Sequence, residues 1–147
     1  ECCRQAGQGG GAGQNAVAAT RLAAQEAMAA SPGLRVEVLA ADHQNRPDIG
    51  SNIARTWFDR EGVDALVDVP ASSAALAAAG LAREKNKVYL ASSPGTAELT
   101  GAQCNANTVQ WTYDTWMLAN STGGAMVRDG GDSWFFVTAD YAFGHSM

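Results

Sequence analysis

Small hydroxyl residues and glycine gather where apolar runs give out: Ser72-Ser73, Ser92-Ser93-Pro94-Gly95-Thr96 and Thr138-Ala139-Asp140-Tyr141. A serine that opens a helix lies beside backbone N–H groups with no partner inside the helix. Such groups favour an anion, for example a carboxylate. Gly95 lets a ligand approach the main chain, Thr96 adds a hydroxyl, and Tyr141 offers a ring face with an OH. Ser72, Ser73, Ser93, Gly95, Thr96 and Tyr141 are therefore candidates for holding a small polar or anionic molecule. Each also has a plainer role, Ser72 or Ser73 as a helix cap and Gly95 after Pro94 as a turn.

These residues do not compose a catalytic set. The two histidines, His43 and His145, fall in predicted loops, and no Ser-His-Asp order, H-E-x-x-H pair or G-x-S-x-G elbow occurs. Asp42, Asp68 and Asp140 stand at strand ends without an evident base or metal partner, and read as structural or binding groups. The expectation is a protein that is not an enzyme, with no metal and no cofactor. One stretch argues otherwise: Gly7-Gln8-Gly9-Gly10-Gly11-Ala12 fits G-x-G-x-x-A ahead of a helix, and Asp42 ends the next strand. A dinucleotide fold needs those parts, but also a buried strand before the first glycine. Glu1-Cys2-Cys3-Arg4-Gln5-Ala6 is not expected to form one, so a dinucleotide-dependent enzyme is the weaker alternative.

At 147 residues the chain can bury one real core. A net charge of −5 with 17% charged residues argues against nucleic acid as a partner, and against an anionic membrane surface. No run of 18 apolar residues exists, and the first residues lack the apolar centre of a secretory signal. Cys2, Cys3 and Cys104 have no metal spacing and read as unpaired thiols, with a Cys104 bridge to the first two conceivable in an oxidising compartment.

Positioning those residues requires an alternation of elements. Residues 4–13 read as a glycine-rich loop, and an alanine-rich amphipathic helix follows over 16–30, stopped by Ser31-Pro32-Gly33. Leu34, Val36 and Val38 alternate with Arg35 and Glu37, the pattern of a half-buried edge strand. Ile49, Ile53 and Trp57 mark the apolar face of a second helix that Gly62 ends. Ala65 to Val69 is a strand, a third helix of mostly small residues runs to Glu84, and Lys87 to Ala91 is another strand. Residues 92–110 read as one long polar loop, 115–128 as a helix ended by Gly130-Gly131, and Trp134 onward as a buried strand emptying into a loop turned by Gly144. Short alternating connections imply a parallel, doubly wound α/β sheet with helices on both faces, and ligand sites lie outside the carboxyl ends of its strands.

Four segments together resemble one family: Ala41-Asp42-His43-Gln44-Asn45-Arg46-Pro47-Asp48-Ile49-Gly50, Pro70-Ala71-Ser72-Ser73, residues 91–100, and Thr138-Ala139-Asp140-Tyr141-Ala142-Phe143-Gly144. The chain is similar to solute-binding proteins of ABC importers of the branched-chain amino acid type, from about Gly10 onward. The resemblance implies two α/β lobes closing on a ligand, outside the cytoplasm, in the periplasm or on the cell surface. It puts ligand-holding positions at Ser72, Ser73, Gly95 and Thr96, with Tyr141 or Phe143 closing from the other lobe. It implies a membrane permease as partner, and an amino acid, an amide or an organic or aromatic acid as ligand. On this reading 1–110 is the first lobe with its first strand missing, and 111–147 is the hinge and the truncated beginning of a second. A ligand-sensing domain of a regulatory protein is the alternative use of the same lobe.

Overall fold

The computed structural model describes residues 3–7 and 11–147. Five parallel strands form one sheet in the order β2-β1-β3-β4-β5, with β1 Cys3–Gly7, β2 Ala40–Asp42, β3 Ala65–Asp68, β4 Val88–Ala91 and β5 Thr108–Gln110. Helices α1 (Gly11–Ala30), α2 (Pro47–Arg60) and α3 (Ser72–Glu84) make the crossovers. Right-handed crossovers put α1, on the way out to β2, on one face. They put α2 and α3, on the way back, on the other.

The amino-terminal segment corrects the sequence reading. Cys3–Gly7 is a strand, and an interior one, bonded to β2 on one side and β3 on the other. Composition argued against a strand through the side chains, whereas a two-sided ladder is made by backbone N–H and C=O groups. The same helix that was expected over 16–30 begins at Gly11. The edge strand lies later than expected. Among the described residues only Ala40, Ala41 and Asp42 find partners, at Gln5, Ala6 and Gly7, while Leu34 to Val38 keep their alternating half-burial without a ladder.

The core lies between the sheet and the α2–α3 layer. Leu66 of β3 and Tyr89 of β4 are register partners, both fully buried, and they join Trp57 and Phe58 of α2 and Ala74, Ala75, Ala78, Ala79 and Ala82 of α3 in one cluster. Alanines at these spacings let α3 lie close on the strands. Gly62 ends α2 as expected: it takes φ +67, and Val63 N–H returns to Trp57 C=O at 3.1 Å.

Beyond β4 the long loop is more ordered than its composition suggested. Thr96 opens a single 3₁₀ turn over Ala97–Leu99, and β5 closes the sheet. The helix expected over 115–128 forms as α4 (Thr115–Leu118), a π turn (Ala119–Gly123) and α5 (Gly124–Arg128). The strand expected from Trp134 is not one. Residues 133–139 join no ladder among the described residues, and Phe135 is 91% exposed, so an apolar run lacks the neighbour that would bury it. A last short helix, α6 (Ala142–Ser146), carries Gly144. That glycine serves a close approach and not a left-handed turn, because a Cβ there would run into the Ala139 carbonyl.

Candidate functional site

Two loops at the carboxyl edge of the sheet adjoin. The first leaves β3 through Asp68-Val69-Pro70-Ala71 into α3, and the second leaves β4 through Ser92-Ser93-Pro94-Gly95-Thr96. A hydrogen bond joins them directly, Ser92 Oγ donating to Asp68 Oδ1 at 2.9 Å. The strand order reverses between β1 and β3, so the β3–α3 turn stands at the switch point where such sheets bind ligands. Ser72, Ser73, Ser93, Gly95 and Thr96 thus share one rim.

Their individual states differ from what composition suggested. Neither serine caps α3. The cap residue is Ala71, without a side-chain bond, and Ser72 and Ser73 are the first two helical residues. Ser72 is buried, while Ser73 Oγ accepts the Ala142 N–H at 3.2 Å, a contact that ties the start of α6 to the rim. Thr96 is the residue that caps, its Oγ1 accepting Glu98 N–H at 3.2 Å, and it is fully buried. Ser93 Oγ is buried and has no hydrogen-bond partner among the described residues. A hydroxyl deprived of both water and partner is costly, and the penalty is removed when a ligand supplies the partner.

Aromatic rings cover the rim. A Cβ built on Gly95 would lie 2.7 Å from Tyr113 Cε2 and 3.0 Å from Phe143 Cε2, so both rings press on bare backbone. Tyr141 and Phe143 stack with centroids 6.2 Å apart. Tyr113 is a participant the sequence did not reveal, as is Gln110, whose Nε2 donates to Pro94 C=O at 2.8 Å and Thr96 C=O at 3.4 Å. Both lie in a stretch whose residues carry no local sign that they fold back onto the 94–96 loop.

The titratable groups sort into supporting roles. Tyr89, beneath the rim, donates to Asp68 C=O at 2.7 Å, and burial pushes its phenol well above the ordinary value. His43 is fully buried at the end of β2, its Nδ1 accepts Asn45 N–H at 3.1 Å, and its Nε2 finds no partner among the described residues. Burial lowers its pKa against the opposing pull of Asp42 and Asp68. Asp140 is exposed and pairs with His145 at 3.0 Å, and Asp42 Oδ1 accepts Gln44 N–H at 2.7 Å. Among the described residues no group of three or more His, Cys, Asp or Glu could hold a metal, and Cys104 is a free, exposed thiol. No described helix is long and apolar enough to cross a membrane.

The glycine-rich stretch requires a correction too. The objection to its dinucleotide reading was the lack of a strand ahead of it, and β1 removes that objection, with Gly7 the register partner of Asp42. Gln8, Gly9 and Gly10, the residues that would cradle a phosphate, lie outside the described residues.

Comparison with known proteins identifies the architecture. The family described as "Periplasmic binding protein" matches residues 4–147. A periplasmic binding protein from Burkholderia mallei is 41% identical, with a TM-score of 0.92 over 99% of this chain and 40% of its own. A branched-chain amino acid ABC transporter periplasmic ligand-binding protein from Burkholderia xenovorans is 30% identical, with a TM-score of 0.79 over 98% of this chain and 40% of its own. A solute-binding protein of an ABC transporter from R. palustris, solved with benzoate, shares the fold at 20% identity and a TM-score of 0.86, over 99% of this chain and 41% of its own. No curated protein sequence matches. The chain spans about two fifths of the length of these solved structures. A strand followed by a helix that opens a parallel sheet, a hydroxyl-bearing rim on the sheet's carboxyl edge, and these matches agree: the chain belongs to the periplasmic binding protein family.

Proposed function

We propose that this chain supplies the ligand-gripping lobe of an extracytoplasmic solute-binding protein that delivers a small carboxylate to the membrane permease of an ABC importer. The observation that carries the reading is the buried, unpartnered Ser93 Oγ, set beside a turn that opens α3 at the sheet's switch point. An incoming carboxylate accepts from Ser93 Oγ and from the backbone N–H groups at Ser72 and Ser73, where the helix dipole favours negative charge. Ser73 Oγ and the Gly95 backbone complete the polar end. Tyr113, Tyr141 and Phe143 cover the ligand's body, which suits an apolar or aromatic substituent. Thr96 contributes by shaping the loop, since its hydroxyl is already engaged by Glu98.

On this reading residues 1–110 are one lobe, 111–147 begin the second, and the stretch from Gln110 to Asp114 is the hinge. Closure brings polar groups of the opposite lobe onto the ligand, and the permease reads the closed form. The ligand is an amino acid or an organic or aromatic acid. Relatives solved with isoleucine and with benzoate share the fold, and both ligands present a carboxylate. The protein acts by binding and release, with no chemical step.

One lobe alone binds weakly, with a Kd of about 1 mM or above, so the test is an amide-resolved NMR titration of this chain with sodium benzoate, L-isoleucine and acetamide. Saturable shifts at Ser72, Ser73, Ser93 and Gly95 with either carboxylate support the reading. Shifts confined to other residues, or none at 50 mM ligand (roughly fifty times that Kd), contradict it.

A further inference from the structure

Asp68 and Val69 are consecutive left-handed residues, with φ +74 and +62. Neither is glycine, and for a β-branched residue such as valine the conformation is a genuine outlier that persists only where surroundings enforce it. The pair is the last residue of β3 and its successor, and α3 starts at Ser72, three residues after Val69, so the pair sets the direction in which the α3 N-terminus leaves the sheet.

Two hydroxyls from beneath enforce it. Tyr89, wholly buried in β4, donates to Asp68 C=O at 2.7 Å, and Ser92 donates to Asp68 Oδ1 at 2.9 Å. Val69 is itself packed in the core. The Tyr89 ring fills the core whether or not it carries an oxygen; the hydroxyl is the part that reaches the turn. Because its phenol stays protonated throughout the ordinary pH range, it remains a donor there. Ser92 directly precedes Ser93, so the same contacts tie the β4 loop to the β3–α3 turn.

We infer that Tyr89 and Ser92 are positioning residues for the ligand site: their hydroxyls hold the strained Asp68–Val69 turn and thereby fix Ser72 and Ser73 relative to Ser93. This rests on the rim's being a ligand site. Neither residue touches the ligand; each acts through Asp68.

The test compares the wild-type chain with Tyr89→Phe, which keeps the ring, and with Tyr89→Phe/Asp68→Asn. Asparagine tolerates the left-handed region better and keeps an oxygen for Ser92. The first bond of α3, from Ala75 N–H to Ala71 C=O at 2.8 Å, reports the turn by amide hydrogen exchange, with Ala79 further along the helix as control. In Tyr89→Phe, exchange at Ala75 quickens about tenfold more than at Ala79, and benzoate affinity falls about tenfold. Asp68→Asn recovers part of both. Equal quickening at Ala75 and Ala79, or none at either, overturns the inference, because a tyrosine that only fills the core would give one of those results. If the wild type gives no benzoate response yet Ala75 loosens selectively, the hold on the turn stands and the ligand reading falls. If benzoate binds wild type and Tyr89→Phe alike with exchange unchanged, the ligand reading stands and this inference falls.

Discussion

Gly95→Ala separates the site from the fold because its two consequences differ in kind. Gly95 does not occupy the left-handed region, so an alanine there meets no backbone strain. Its methyl would lie 2.7 Å from Tyr113 Cε2 and 3.0 Å from Phe143 Cε2, where carbon pairs prefer roughly 3.5–4.0 Å. Both rings must retreat by about 1 Å or somewhat less. Overpacking a rigid core costs about 1–3 kcal/mol, but Tyr113 is 48% exposed and can swing outward, which places the cost near the lower end. The substitution also restricts the unfolded chain, returning about 0.4–1 kcal/mol. The net loss is therefore about 1 kcal/mol or less, a fall in Tm of about 2–4 °C. Ligand binding suffers more, since the methyl displaces the aromatic cover over the rim. A tenfold loss of benzoate affinity, about 1.4 kcal/mol, is expected. Thermal melting followed by circular dichroism gives the first quantity and an NMR titration the second. Adding Tyr113→Ala should restore most of the lost Tm if the ring is the obstacle. Unchanged benzoate affinity in Gly95→Ala would refute the reasoning, as would a fall in Tm beyond about 10 °C, which would mean the rings cannot yield.

Further outcomes follow from the surrounding structure. Gln110→Ala removes donors from the Pro94 and Thr96 carbonyls and should cost about 1–2 kcal/mol in a urea melt, with amide shifts concentrated in 94–96. Leu66→Ala empties a fully buried site between sheet and α3, and should cost about 2–5 kcal/mol by the same measurement. His43 has a folded pKa below its unfolded one because burial penalises the cation. Its contribution is present above the unfolded value and is lost as pH falls through the folded value. Stability should therefore drop on acidification from about pH 7 to pH 5, and His43→Gln should flatten that part of the profile. Arg55 and Glu84 pair on the surface at 2.9 Å, and Arg55 holds the Glu84 carboxyl below its ordinary value. Both are solvated, so Arg55→Ala should leave the Tm within error at 0.15 M salt, as screened surface pairs do.

How far the residues announced this structure depends on which interactions decide each element. Amphipathic α2, the small-residue α3 and strands β3 and β4 carry their own patterns, and all four form where those patterns fall. The Ser72-Ser73 and Ser93–Thr96 segments were legible as one rim because parallel topology sends every strand's carboxyl end to the same edge. Strand β1 was not legible, because its place is given by backbone pairing to two neighbours. Trp134 to Val137 reads as a buried strand on composition alone, yet pairing needs a partner that no described residue supplies. The contributions of Tyr113 and Gln110 depend on tertiary return to a loop some 15 residues earlier, and periodicity is silent about that. The left-handed pair at Asp68 and Val69 was not legible either: aspartate visits that region more often than most residues, but a β-branched valine there has no signature in the sequence.

The most direct measurement is a crystal structure of this chain grown in saturating sodium benzoate. The account predicts the carboxylate within hydrogen-bond distance of Ser93 Oγ and of the Ser72 or Ser73 N–H, with the ring against Tyr113 and Phe143. Benzoate found instead in the apolar groove between α4 and residues 134–139, which Leu118, Trp134 and Phe136 line, with the Ser93 hydroxyl still unpartnered, would contradict it.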